Sequence, residues 1–162
     1  MDKLSDRRCE SYAEYRRGLH EVLGLARQTV AIYDPDLREC GLEHRERIAL
    51  LESFCRDATR EDALRILVCT PVHLERDCPR LVALLTRFRH CASVRVAGSA
   101  GCEDMPPIAI VDGAHLVTRF HPEQPRGRIC VDDPRAAAGP LTQFETLWIG
   151  GECRTIGASL GV

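Results

Sequence analysis

Two hydrophobic rhythms alternate along the first two thirds of the chain. From Cys9 to Ala26 the residues Tyr12, Tyr15, Leu19, Val22, Leu23 and Ala26 recur at helical spacing, with Arg and Glu between them. That pattern predicts an amphipathic helix. The β-branched run TVAIYD, Thr29 to Asp34, ends in the turn-forming Asp-Pro-Asp and predicts a short strand. A second helix over 43–58 carries Ile48, Leu51, Cys55 and Ala58 on one face. LRILVCT, Leu64 to Thr70, is nearly all apolar, as a strand covered on both faces requires. Pro79 suits the first turn of a third helix, where its missing N–H costs nothing, and Leu81, Val82, Leu85 and Phe88 form that helix's apolar face. SVRVA, Ser93 to Ala97, is another strand. Strand–helix alternation of this length predicts parallel pairing with right-handed crossovers.

The rhythm changes after Met105. IAIV and HLVTRF flank Asp112-Gly113, a dipeptide whose tolerance of positive φ at both positions suits a type I′ hairpin turn. RICV, Arg128 to Val131, is a further strand. Asp133-Pro134 reads as a helix N-cap followed by proline at the first helical position. Leu141, Phe144, Leu147 and Trp148 continue that helix, and Gly139-Pro140 is expected to kink it or split it in two. The whole predicts an α/β fold in one domain: a mixed sheet, with a parallel βαβαβ part plus a C-terminal antiparallel hairpin and strand, flanked by helices. Residues 1–27 form an N-terminal amphipathic helix packed on the α/β domain of residues 28–162.

Composition narrows the chemistry. The chain has 162 residues and a formal charge of −2, so no global basic field marks it for nucleic acid or an anionic membrane. Lys3 is the only lysine, and every other basic residue counted in that charge is arginine. A mechanism needing an internal lysine therefore has no candidate beyond position 3. No apolar run reaches the length of a membrane span, and MDKLSDRRCESYAEYRRG lacks the apolar stretch of a secretory signal, which predicts a cytoplasmic location. Nine cysteines are present. None are paired two residues apart, as zinc knuckles and redox motifs are, and reduced, buried, structural thiols are expected. Cys69, His73 and Cys78 come nearest to a metal set, but their irregular spacing predicts no metal site. No P-loop, Gly-x-Ser-x-Gly elbow or other cofactor-binding motif occurs, so no cofactor is expected.

The order of elements and the run MPPIAIVDGAHLV resemble one half of the phospholipase D-like superfamily, whose signature is His-x-Lys-x-x-x-x-Asp followed by glycine. Asp112-Gly113 takes the Asp-Gly position, the histidine position falls on Met105 and the lysine position on Pro107. DDPRAAAGPLTQFETLW is similar to the closing segment of such domains. The resemblance implies a degenerate half-domain in which Asp112 is a vestige of the signature. In the family the histidine attacks phosphorus and the lysine neutralises charge on the phosphoryl oxygens. Methionine and proline do neither, which implies a pseudoenzyme with no catalytic residues.

The resemblance also implies a bacterial regulatory or protein-interaction module, working as a homodimer or with an acetyltransferase-type protein partner. An alternative is a phosphodiesterase or nuclease-like enzyme with a relocated site near Asp112, His115 and His121, with Arg119 beside them. A further alternative is an anion, nucleotide or nucleic-acid site through Arg119, His121, Arg126 and Arg128, since arginine recognises oxyanions bidentately. Aromatic residues are only 5% of the chain, too sparse for a base-stacking platform, so a nucleic-acid partner is disfavoured.

Overall fold

A computed structural model describes residues 6–102, 105–154 and 156. In chain order these form β1 (Asp6–Cys9), α1 (Tyr12–Gly24), β2 (Val30–Tyr33), α2 (Arg45–Asp57), β3 (Leu64–Val68), α3 (Val72–Asp77), α4 (Pro79–Arg87) and β4 (Ala92–Val96). A 3-10 turn (Ser99–Gly101) follows, then β5 (Ile108–Val111), β6 (His115–Arg119), β7 (Gly127–Cys130), α5 (Pro134–Gly150) and β8 (Glu152–Arg154). The strands make one mixed sheet in the order β1-β7-β6-β5-β2-β3-β4-β8. Its centre, β2-β3-β4, is parallel, and every other pairing is antiparallel.

The period-2 alternation of the strands divides the core in two. Ile32, Ile66, Val94, Val117 and Ile129 face α1, α2 and α4 and meet Leu19, Leu51, Phe54 and Leu81 in the larger cluster. Tyr33, Leu67, Ile110 and Leu116 face the other way and meet Met105, Phe144 and Trp148 of the α5 layer. Helix α1 lies so close to the sheet that a Cβ on Gly18 would sit 2.2 Å from Ile129 Cδ1. On the opposite face Arg65 pairs with Glu145 of α5 at 2.7 Å and lies 5.1 Å from the Phe144 ring centroid. Arg95 stacks on Trp148 at 4.5 Å. Two strand arginines thus fasten α5 through charge and ring faces together.

The helix starts follow local chemistry. Ser11 accepts from Glu14 N–H at α1, and Asp133 accepts from Ala136 N–H at α5, with Pro134 at the first helical position. Glu43 lies just before α2 and does not cap it. Its carboxylate accepts from the N–H groups of Arg80 and Leu81, at 3.1 and 3.0 Å, and so caps α4.

Three features add to or differ from the expectations. Residues 6–9 belong to the sheet, as an edge strand paired with β7, so the segment expected as a helix over 1–27 contributes a strand as well within its described residues, and residues 1–5 lie outside them. Glu152–Arg154, which follows α5, becomes the opposite edge strand. Helix α5 is not split in two: it runs as one helix from Pro134 to Gly150 through Gly139-Pro140. The two edges are short and charged, which limits their use as templates for further strands.

Candidate functional site

In open α/β sheets, ligands gather beyond the carboxyl ends of the parallel strands. That end is built here by the residues following β2, β3 and β4, by the segment leading into β5, and by the loop between β6 and β7. Its centre is an ion pair. Arg119, the last residue of β6, places Nη2 3.1 Å from Asp34 Oδ2, and both side chains are 2% exposed. Asp34 follows β2, and its Oδ1 accepts from the N–H groups of Asp36 and Leu37 at 3.2 and 2.9 Å. These bonds fold the Asp-Pro-Asp segment and leave Leu37 at φ +67°. The Arg119 guanidinium lies 4.7 Å from the Tyr15 ring centroid and 5.9 Å from that of Tyr12, and Nη2 also donates to Pro122 O at 3.3 Å.

Burial raises the Asp34 carboxyl pKa, against the opposing pull of Arg119 and the two amides. Burial also works against the Arg119 charge, but Tyr15 and Asp34 more than compensate and raise its pKa on balance. Nε and Nη1 of Arg119 are buried without hydrogen-bond partners, so the ion pair and the aromatic faces carry most of its compensation.

The position resembling the signature histidine is filled by apolar packing. Met105 is 4% exposed and belongs to the cluster with Ile108, Phe144 and Trp148. Pro107 offers only its carbonyl, which accepts from the Thr118 hydroxyl at 2.9 Å and from Arg119 N–H at 3.1 Å.

Asp112 lies at the other end of the sheet. Asp112 and Gly113 have φ values of +55° and +65°, the two left-handed residues of a type I′ turn. The carboxylate also accepts from the backbone N–H groups of Arg27, Gln28 and Thr29 at 3.0, 2.7 and 3.0 Å. It therefore fastens the chain between α1 and β2 to the hairpin. His115 is beside it on β6, and its Nδ1 accepts from Asp132 N–H at 2.9 Å.

This separates the residues of the relocated-site alternative. Asp112 and His115 lie at the start of β6, whereas His121 follows its far end. The five residues of β6 span about 13 Å. The expected anion cluster is not assembled either. Arg119 points toward α1, while Arg128 pairs in register with Thr118, its neighbour on β6, and points to the opposite face. Arg128 is held by Asp6 at 2.9 and 2.7 Å, Arg126 by Glu10 at 3.1 Å, and the exposed His121 accepts from Glu123 N–H at 3.3 Å. Each arginine already has a carboxylate partner.

The cysteine expectation is corrected in part. Cys69 and Cys102 form a disulfide, with Cα atoms 5.9 Å apart. Among the described residues the other seven cysteines are free thiols, six of them buried and Cys153 exposed. Burial pushes the Cys55 thiol up to about 12 and the Cys78 thiol up to about 11. The suggested metal set does not converge: Cys69 is oxidised, His73 bonds to Asp77 at 3.2 Å, and Cys78 is buried where α3 meets α4. Sequence reading missed Asp34, which it took only for a turn residue. The available signal was Arg119 itself, a cation at the end of the half-apolar strand HLVTR.

A domain family described as a domain of unknown function, DUF7931, matches residues 11–155. The chain belongs to this family. No curated protein matches the DUF7931 chain. Solved structures match it at low identity. TrmBL2, an archaeal chromatin protein with a novel mode of DNA binding, is 13% identical at a TM-score of 0.67. The match covers 91% of the DUF7931 chain and 54% of TrmBL2, so this chain spans about half the length of that protein. Nuc from Salmonella typhimurium, a phospholipase D family member, is 13% identical at a TM-score of 0.63, over 93% of this chain and 97% of its own. NucT from Helicobacter pylori is 11% identical at 0.59, over 92% and 98%. At these identities the likeness is one of fold, and the DUF7931 fold is phospholipase D-like. No helix among the described residues is long and apolar enough to cross a membrane.

Proposed function

We propose that this chain is a non-catalytic phospholipase D-like module that acts through its surface in the bacterial cytoplasm, as a homodimer or on a protein partner. The observation that carries this reading is the packing of Met105. A buried thioether, part of the same apolar cluster as Ile108, Phe144 and Trp148, stands where the fold's chemistry needs an exposed nucleophilic imidazole. The nearby cation gives no substitute for the missing lysine, because Arg119 is sealed from solvent and held by Asp34.

Hydrolysis of bis(p-nitrophenyl) phosphate tests the reading. The full chain gives no turnover above blank. Turnover abolished by His121→Ala would overturn the reading in favour of a relocated site. Light scattering tests the homodimer: the mass rises toward twice that of the monomer with concentration, and a constant monomer mass counts against it. In that case a protein partner remains, and an acetyltransferase-type protein is the first to try, by co-purification.

A second reading, recognition of a nucleic-acid backbone, draws on the exposed loop after β6, where Phe120 is 56% exposed beside His121 and Arg126, and on the DNA-binding neighbour. It predicts DNA binding that weakens steeply with salt and with Arg126→Ala. Binding unaffected by both removes it.

A further inference from the structure

Two of the nine cysteines stand apart from the rest. Cys9, Cys40, Cys55, Cys78, Cys91 and Cys130 are buried, and burial raises the pKa of each thiol, which keeps them protonated and shielded from reagents. Cys69 and Cys102 are half-buried and joined to each other. They lie at the carboxyl end of the sheet. Cys69 immediately follows β3 and its N–H donates to Pro35 O at 2.9 Å, whereas Cys102 caps the 3-10 turn after β4. That turn begins the segment leading to Met105 and is pressed onto α5, since a Cβ on Gly101 would lie 2.3 Å from Leu147 Cδ2.

A third group marks the two sulfurs as unequal. The Tyr33 hydroxyl is 3.2 Å from Cys69 Sγ. A disulfide sulfur carries no hydrogen, so the phenol donates and the sulfur accepts. When the S–S bond breaks, that same O–H is already aimed at the sulfur on which negative charge develops. Burial, followed by the charge of Asp34, pushes the Tyr33 phenol up to about 12, so the donor keeps its proton throughout the neutral range.

We propose that Cys69–Cys102 is a thiol–disulfide exchange site for small thiols, with Cys102 the sulfur attacked and Cys69 the leaving sulfur. A thiolate attacks Cys102 Sγ. The Cys69–Cys102 bond breaks, its electron pair goes to Cys69 Sγ under the Tyr33 hydroxyl, and a mixed disulfide forms on Cys102. A second thiolate attacks the small thiol's sulfur in that mixed disulfide and releases Cys102. In total, two small thiols are oxidised to their disulfide, the protein pair is reduced to two thiols, and the two protons pass from the small thiols to the protein. Tyr33 acts as a leaving-group donor, since a better stabilised thiolate leaves faster. Reduction unties the turn from β3 and leaves it held by its packing on Leu147.

The test equilibrates the air-oxidised full chain in glutathione buffers of stepped reduced-to-oxidised ratio, quenches with iodoacetamide and maps the peptides by mass. Cys69 and Cys102 convert together from linked to alkylated as the ratio rises, the glutathione adduct appears on Cys102, and the six buried cysteines stay unlabelled. Tyr33→Phe slows reduction about two- to tenfold, the kinetic equivalent of one neutral hydrogen bond, while buried-cysteine protection and Cys153 labelling stay unchanged. Should Tyr33→Phe lose that protection, Cys69→Ala replaces it, and its Cys102 accumulates the adduct from oxidised glutathione. Failure of the pair to link at any ratio, a link indifferent to glutathione, an adduct on Cys69, or a Tyr33→Phe rate equal to the parent's would each overturn the proposal.

Discussion

Two aspartates at opposite ends of the sheet have exchanged the significance that sequence alone would give them. Asp112 takes the Asp position of the signature that the sequence resembles, yet its carboxylate is spent on three backbone N–H groups and its backbone on a type I′ turn. Asp34 matches no position of that signature, yet it lies at the carboxyl end of the parallel strands and neutralises Arg119, which is buried there. A motif residue can thus survive for what its backbone and carboxylate do in the fold. On the proposed reading, what the fold can do chemically is set at the other end, by what fills it.

The comparison breaks most sharply at Arg119. Arg119→Met leaves Asp34 buried without its counter-ion and is expected to cost about 3–5 kcal/mol in urea denaturation. Asp34→Asn strands the guanidinium instead, and the double variant costs less than the two singles summed, because they share one interaction. Next comes Asp112→Ala, expected to cost about 2 kcal/mol through loss of the backbone acceptor. Asp112→Asn costs less, since Asn-Gly suits the same turn and retains one oxygen acceptor. If the two Asp112 variants were equally damaging, charge rather than turn geometry would be the larger part of its role.

The smallest effect belongs to Asp6–Arg128, whose side chains are 47% and 40% exposed. Arg128→Ala is expected to cost less than about 1 kcal/mol. The Arg128 hydrogen bond holds the Asp6 carboxyl below its usual range. The folded pKa is therefore lower than the unfolded one. The contribution is complete above about pH 4 and disappears as pH falls through the folded value. Stability curves of the parent and Arg128→Ala should converge in acid, and a gap that widens there would contradict the assignment.

What could be read from sequence follows from the range of the interactions involved. The central strands were legible because runs such as LRILVCT carry their burial on both faces in their own composition. The Asp112-Gly113 hairpin and the Asp133 cap were legible because a few consecutive residues contain the whole reason for them. The strands DRRC and ECR were not, since their residues are nearly all exposed and only the pairing of Asp6 with Cys130, or of Val94 with Arg154, makes them strands. Asp34 and Arg119 lie 85 positions apart, and Cys69 and Cys102 lie 33 apart. Local sequence can flag Arg119 as a cation in need of a partner, but it names neither Asp34 nor the pairing of the two cysteines. The four candidate anion ligands were close in sequence, but strand alternation sent Arg119 and Arg128 to opposite faces.

Asp34 and Arg119 close the carboxyl end of the parallel strands, where on the proposed reading a phosphoryl group would have to bind. Isothermal titration of the full chain with tungstate, a tetrahedral oxyanion, tests it most directly. The closed ion pair predicts no saturable heat. A one-to-one binding curve that disappears in an Arg119→Met variant with an unchanged fold would contradict it, because Arg119 would then be available to an anion rather than committed to Asp34.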